Sequence, residues 1–118
     1  MVGTPHALQP RGHIVFLEEV SEAPYRVDRM LTQLNQAGVL KEASGVALGV
    51  FPGCEAKDGE PSLTLAQVLD DNLGASRVPA AYGFSFGHIA HQVTLPVGVR
   101  AAMDTRERTI TLLEAAVA

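Results

Sequence analysis

Few residues in this chain have the types and spacing to do chemistry, and they fall into three groups. Glu18 and Glu19 directly follow the apolar run His13–Leu17, where a strand would leave the core. Acids at the carboxyl end of a core strand lie where open α/β sheets carry their chemistry. Pattern alone also fits two solvated glutamates in a loop, the commoner situation for such residues. Gly83-Phe84-Ser85-Phe86-Gly87 matches the G-x-S-x-G nucleophile elbow and comes after a predicted strand. An elbow needs a helix straight after its serine, and HIAHQVTLPVGV is too short and too β-branched before Pro96 to supply one. The other reading is a glycine-rich loop at a strand end.

His88 and His91, three apart, have a spacing that could serve a metal, but no cysteine pair or acid at supporting spacing accompanies them. No metal or cofactor is therefore expected. Cys54 has no base placed beside it by sequence and reads as an ordinary small residue, buried or half-buried. One combination joins distant parts of the chain. If the strands before Glu18 and His88 are parallel in one sheet, their carboxyl ends share an edge, and the carboxylate can hold one imidazole N–H while the other nitrogen acts as base. That is two-thirds of a triad, and no residue is a convincing nucleophile for it.

The elements that must position these residues are legible in outline. After the first strand, Pro24 suits the first turn of a helix, where its missing N–H costs nothing. Val27, Met30, Leu31 and Leu34 then form an apolar stripe, with Arg26, Asp28, Arg29, Gln33 and Gln36 mostly opposite, and Gly38 is able to end the helix in a left-handed conformation. Following a polar turn, Gly45–Phe51 is a second apolar run, which gives the strand–helix–strand rhythm of a parallel sheet. The charged loop Pro52–Ser62 leads to a second helix, Leu63–Leu73. Thr64 and Gln67 make its capping box, Leu63 and Val68 its hydrophobic staple, and Gly74 its end. Val78–Tyr82 reads as a third strand, with Pro79 suited to its start or to an edge. Strands over about Val97–Met103 and Thr109–Glu114, joined by Asp104–Arg108, read as an antiparallel hairpin. The class is thus mixed α/β, with two strand–helix units and a C-terminal β-hairpin. Met1–Gly12 reads as a linker or disordered N-terminus and 13–118 as one domain.

Composition narrows the function classes. The 118 residues are 47% hydrophobic and 19% charged, enough apolar material for a packed core. A formal net charge of −4 leaves no electrostatic footprint for nucleic acid or an anionic membrane surface. No apolar run approaches the roughly 20 residues that span a bilayer, and the N-terminus lacks the order of a signal peptide. A single cysteine allows no internal disulfide and suits a reducing cytoplasm.

The segments FLEEVSEAPYRVDRMLTQLNQAGVL, GVALGVFPGC, LTLAQVLDDNL, YGFSFGH and TLPVGVRAAMD, in this order and spacing, resemble the C-terminal domain of the LD-carboxypeptidases. This serine peptidase family includes murein tetrapeptide and microcin-immunity carboxypeptidases, and the likeness runs from about Gly12 to the C-terminus. It implies a swivelling β/β/α-type domain that supplies the glutamate and histidine of a Ser-Glu-His triad. The histidine maps to His88, and the glutamate to the first acid after Leu17, Glu18, in preference to Glu19. The implied reaction is hydrolysis of an L,D peptide bond, releasing terminal D-alanine from murein tetrapeptide in cytoplasmic cell-wall recycling, with no cofactor. Arg26 and Arg29 fall in the family's APYR-x-x-R segment as helix and interface residues. Ser85 stands where the family more often has proline, which is how the G-x-S-x-G match arises.

On this resemblance the serine-bearing N-terminal domain would be a missing partner and this chain a C-terminal piece, inactive by itself. The substrate would be a murein peptide or a related small peptide, and a homodimer would cover apolar surface left by the missing domain. Two other expectations stand beside it: a small Ser85/His88 hydrolase, and a non-catalytic binding or assembly module that keeps the fold.

Overall fold

Gly45–Gly49 (β2) holds the fold together because its two faces differ. Val46 and Leu48 point one way into the main core, while Gly45, Ala47 and Gly49 present only small side chains on the other face. All five residues are buried, as expected for a central parallel strand. Ile14–Leu17 (β1) and Ala80–Phe84 (β3) flank it, giving a three-stranded parallel sheet of order β1-β2-β3. The computed structural model describes residues 1–117.

Helices cover the Val46/Leu48 face. Pro24–Gln36 (α1) begins on Pro24, as its position predicts, and buries Pro24, Val27 and Leu31, with Leu34 packed against the core. Met30 departs from the expected stripe and is 39% exposed. Gly38 is left-handed as anticipated (φ 80°), but the chain then makes one more helical turn, Val39–Glu42 (α2), instead of a plain polar turn.

Leu65–Leu69 (α3) starts on the expected capping box. The Gln67 N–H donates to Thr64 Oγ1 at 3.1 Å, and the Thr64 N–H donates to Gln67 Oε1 at 2.8 Å. Leu63, its anticipated staple, stays 44% exposed although Val68 is buried. The α-helix is shorter than the periodicity suggests, because it widens into a π-helical turn over Asp70–Gly74. Gly74 therefore does not end it in a left-handed conformation. Asp70 lies over the Gly74 Cα, where a side chain would collide with its carboxylate.

Asn72 fastens this widened turn to α1. Its Nδ2 donates to Asp28 Oδ1 at 2.9 Å, and its main-chain carbonyl accepts from Asn35 Nδ2 at 3.0 Å.

The small-residue face of β2 is covered by chain, not by helices. At one end the Met103 side chain lies over Gly45, and at the other Phe86 lies over Gly49. Met103 belongs to Ala101–Asp104 (β4), which pairs with Thr109–Leu112 (β5) as an antiparallel hairpin separate from the main sheet. The hairpin was expected, but its first strand begins later than Val97. Val97 itself is 90% exposed and outside any strand. β3 is likewise shifted by two residues from Val78–Tyr82. The main sheet stays open, with β1 and β3 at its edges. Met1–Gly12 forms turns and meets the domain through a bridge between Arg11 and Ala43 and an exposed Arg11–Glu42 ion pair at 3.4 Å.

Candidate active site at the carboxyl edge of the sheet

β1 and β3 both run parallel to β2, so Glu18 and the segment after Phe84 emerge at the same edge. They emerge on opposite sides of β2, roughly two strand spacings or ~10 Å apart. The segment after β3 must therefore cross the end of β2 to reach Glu18. A succession of local features routes it there. A register irregularity between Leu48/Gly49 and Tyr82/Phe84 leaves Gly83 as the extra residue on β3, with φ 97°. Phe84 then turns onto the small-residue face, where its ring stacks on Phe86 at 6.3 Å.

Phe86 next lies across Gly49. A Cβ on Gly49 would meet the Phe86 carbonyl oxygen at 2.5 Å and the ring at 2.9 Å, so only glycine lets the crossing pass this low. The Phe86 ring packs edge-on against Phe16 of β1 at 5.4 Å, completing the span from β3 to β1. Gly87 then sits directly on Glu18 with φ 103°, and a Cβ there would stand 2.9 Å from Glu18 Oε2. Both the dihedral angle and the contact demand glycine.

The outcome is a direct pairing of Glu18 and His88, with His88 Nδ1 2.8 Å from Glu18 Oε2. A carboxylate only accepts, so Nδ1 carries the proton and donates it. This leaves Nε2 as the basic nitrogen, and it has no hydrogen-bond partner among the described residues. The side chains are 61% and 34% exposed, so as an ion pair they contribute under about 1 kcal/mol to stability. Gly87 and the crossing over Gly49 therefore fix the position of a pair whose own contribution to stability is small.

Glu19 is the more covered of the two acids. Its Oε1 folds back to accept the Val20 N–H at 2.8 Å, which turns it away from His88.

The other candidates do not join this site. Glu18, Gly87, His88, Ile89 and Gln92 line an open depression of about 590 Å³, and no hydroxyl or thiol is among them. Ser85 is exposed, has no helix after it, and faces a different cavity of about 260 Å³ shared with Phe84, Val93 and Arg108. His91 is exposed, and the described residues contain no cluster of three or more His, Cys, Asp or Glu that could hold a metal. Cys54 is fully buried, and burial pushes its thiol pKa up, away from the reactive thiolate.

Sequence reasoning missed the Tyr25 cluster at the start of α1. The Tyr25 ring is 55% exposed, Arg29 lies 5.4 Å over it, and Arg26 Nε donates to its hydroxyl at 3.1 Å, which lowers the phenol pKa. Arg26 also pairs with Glu22 at 3.1 Å, an i,i+4 contact of the ordinary surface kind.

The parallel sheet thus carries an acid–histidine pair at its carboxyl edge, an arrangement able to hold and move a proton. Residues 1–103 match the model of the LD-carboxypeptidase C-terminal domain, and the chain belongs to that family. It is 41% identical over 108 residues to the probable murein peptide carboxypeptidase of Bacillus subtilis, covering 92% of this chain and 34% of that protein. The crystal structure of muramoyltetrapeptide carboxypeptidase from Oxalobacter formigenes superposes with a TM-score of 0.81 at 37% identity, over 95% of this chain and 38% of that one. The microcin C7 self-immunity protein MccF superposes with a TM-score of 0.79 at 25% identity, over 93% of this chain and 32% of that one. One of its solved forms is an active-site mutant with a serine, an asparagine and a lysine replaced by alanine. The chain thus spans about a third of the length of the relatives it matches. No helix among the described residues is long and apolar enough to cross a membrane.

Proposed function

We propose that this domain supplies the acid and base of a serine-type LD-carboxypeptidase that hydrolyses the L,D peptide bond of murein tetrapeptide and releases terminal D-alanine. His88 Nε2 takes the proton of a serine hydroxyl as it attacks the carbonyl, then returns it to the departing amine. Glu18 fixes the tautomer and stabilises the imidazolium formed between those steps. The observation that carries the reading is the 2.8 Å contact from Glu18 to Nδ1, which leaves Nε2 unpaired toward an open depression. Because that depression offers no hydroxyl or thiol, the nucleophile and oxyanion donors come from a serine-bearing domain outside these residues. The chain by itself is inactive. The murein names of the relatives point to the substrate, and recycling of wall peptides in the cytoplasm is the setting in which it would be met.

The test is a graft. The matching third of the Bacillus subtilis relative is replaced by this chain, and alanine release from murein tetrapeptide is followed. Turnover by the graft, none by the chain alone, and losses of about 10²–10⁴-fold with Glu18→Gln or His88→Ala are expected. Full activity of the His88→Ala graft, or alanine release by the isolated chain, would overturn the proposal.

A further inference from the structure

The loop that carries His88 is closed by one hydrogen bond between its ends and turned tightly at His88 by another. The Val93 N–H donates to the Ser85 carbonyl at 2.8 Å, and the Ile89 N–H donates to the Gly87 carbonyl at 2.9 Å. This closure turns a second polar side chain, Gln92, onto the rim of the same depression as His88. Of the three polar side chains there, Glu18 and His88 are committed to each other, whereas the Gln92 amide is exposed and makes no hydrogen bond to any described residue. Ile89 provides the apolar side chain of the same lining.

We infer that Gln92 binds a main-chain amide of the peptide substrate beside the bond that His88 helps to cleave. A carboxamide presents one acceptor and two donors in a plane, so it pairs with both the N–H and the C=O of one peptide unit. It is uncharged, so it imposes no preference on the acidic or basic side chains of the peptide. It also places no second charge beside the Glu18–His88 pair, as a carboxylate there would. Gln92 is a binding residue and takes no part in proton transfer. This assignment rests on the proposed role of the Glu18–His88 site.

The experiment uses the full chain, ¹⁵N-labelled, titrated with murein tetrapeptide as the probe. The expected result is movement of the His88 ring signals and of the Gln92 side-chain NH₂ pair with one common Kd. Gln92→Ala should weaken that Kd by about tenfold, the scale of two lost hydrogen bonds. In the grafted enzyme the same change should raise KM about tenfold, with kcat and the pH profile unchanged, the signature of lost uniform binding. Gln92→Glu, which keeps the length and the acceptor but loses both donors, should fall on the same side as alanine. His88 signals that respond while Gln92 stays silent, with affinity unaltered by Gln92→Ala, overturn this inference and leave the Glu18–His88 reading standing. A probe that moves neither residue, together with a graft indifferent to His88→Ala, overturns both.

Discussion

At the scale of single residues, the pairing of Glu18 with His88 depends on a glycine that does no chemistry. Gly87 has φ 103°, and its missing side chain leaves room for Glu18. Gly87→Ala should cost about 1–3 kcal/mol in stability through backbone strain. It should also push the Glu18 carboxylate away, so that the downfield Nδ1–H signal of His88 is lost from the proton spectrum while the β2 amides keep their shifts. A variant that keeps this signal would show that the contact tolerates a methyl group. Cys54 gives a prediction of the opposite kind. Its thiol is buried and its pKa raised by that burial, so at pH 8 iodoacetamide should label it only as fast as the native chain unfolds. Adding denaturant should release the label-accepting thiol in a single step. Both acids and the histidine could be singled out from sequence, because acids after a strand and a histidine after a glycine are local signs. Their union could be stated only as a condition, since no local pattern says which strands share an edge. The relative burial of Glu18 and Glu19 was not readable at all, because it depends on whether a carboxylate folds back to its own neighbour's N–H.

Between residue and molecule, the elements with local signals appear where the sequence puts them, and those governed by tertiary contacts do not. Pro24 and the Thr64–Gln67 capping box each act within one turn, and both mark true helix starts. The end of the second helix was misread. Its stripe continues to Leu73, which is buried, but the hydrogen bonding widens from Asp70 onward so that Asn72 can reach Asp28 and Asn35 on α1. Asn72→Ala removes a half-buried hub of that contact and should lower stability by about 1–3 kcal/mol, measured by urea unfolding with an unchanged m-value. Asp28→Ala should cost less, since the Asn72 Nδ2 keeps its bond to the Val68 carbonyl at 3.0 Å. The crossing over β2 was equally hidden, because it needs Gly83 as a bulge, Gly49 as a floor and Phe16 as a support from a strand far away in sequence. Gly49→Ala should therefore separate fold from site. The three-stranded sheet should persist by circular dichroism, while a grafted enzyme carrying it loses turnover because Phe86 and the loop beyond it are lifted.

Across the whole molecule, stability is distributed unevenly. β2 is buried along its length between two partners, whereas β4 and β5 pair only with each other and keep most residues exposed or half-exposed. A two-stranded ribbon is marginal by itself and depends on what it rests against. Here that is mainly the Met103 side chain over Gly45, with an Arg100–Glu114 contact at the open end. Glu114 accepts from both the Arg100 Nε and the Arg100 N–H at 2.8 Å, and these bonds hold its carboxyl below the ordinary range. A depressed carboxyl contributes stability that is present above its unfolded pKa and is lost as pH falls through the folded value. Amide exchange at neutral pH should thus show β2 as the slowest segment and β4–β5 opening first, at a free energy well below that of global unfolding. Below about pH 4, after correction for the intrinsic exchange rate, protection at Leu113, whose N–H donates to the Arg100 carbonyl at 2.8 Å, should drop before that of β2. Glu114→Gln should give the low-pH pattern at pH 7. Hairpin protection equal to that of β2, and indifferent to pH and to Glu114→Gln, would mean that the hairpin and the main sheet form one cooperative unit held by Met103.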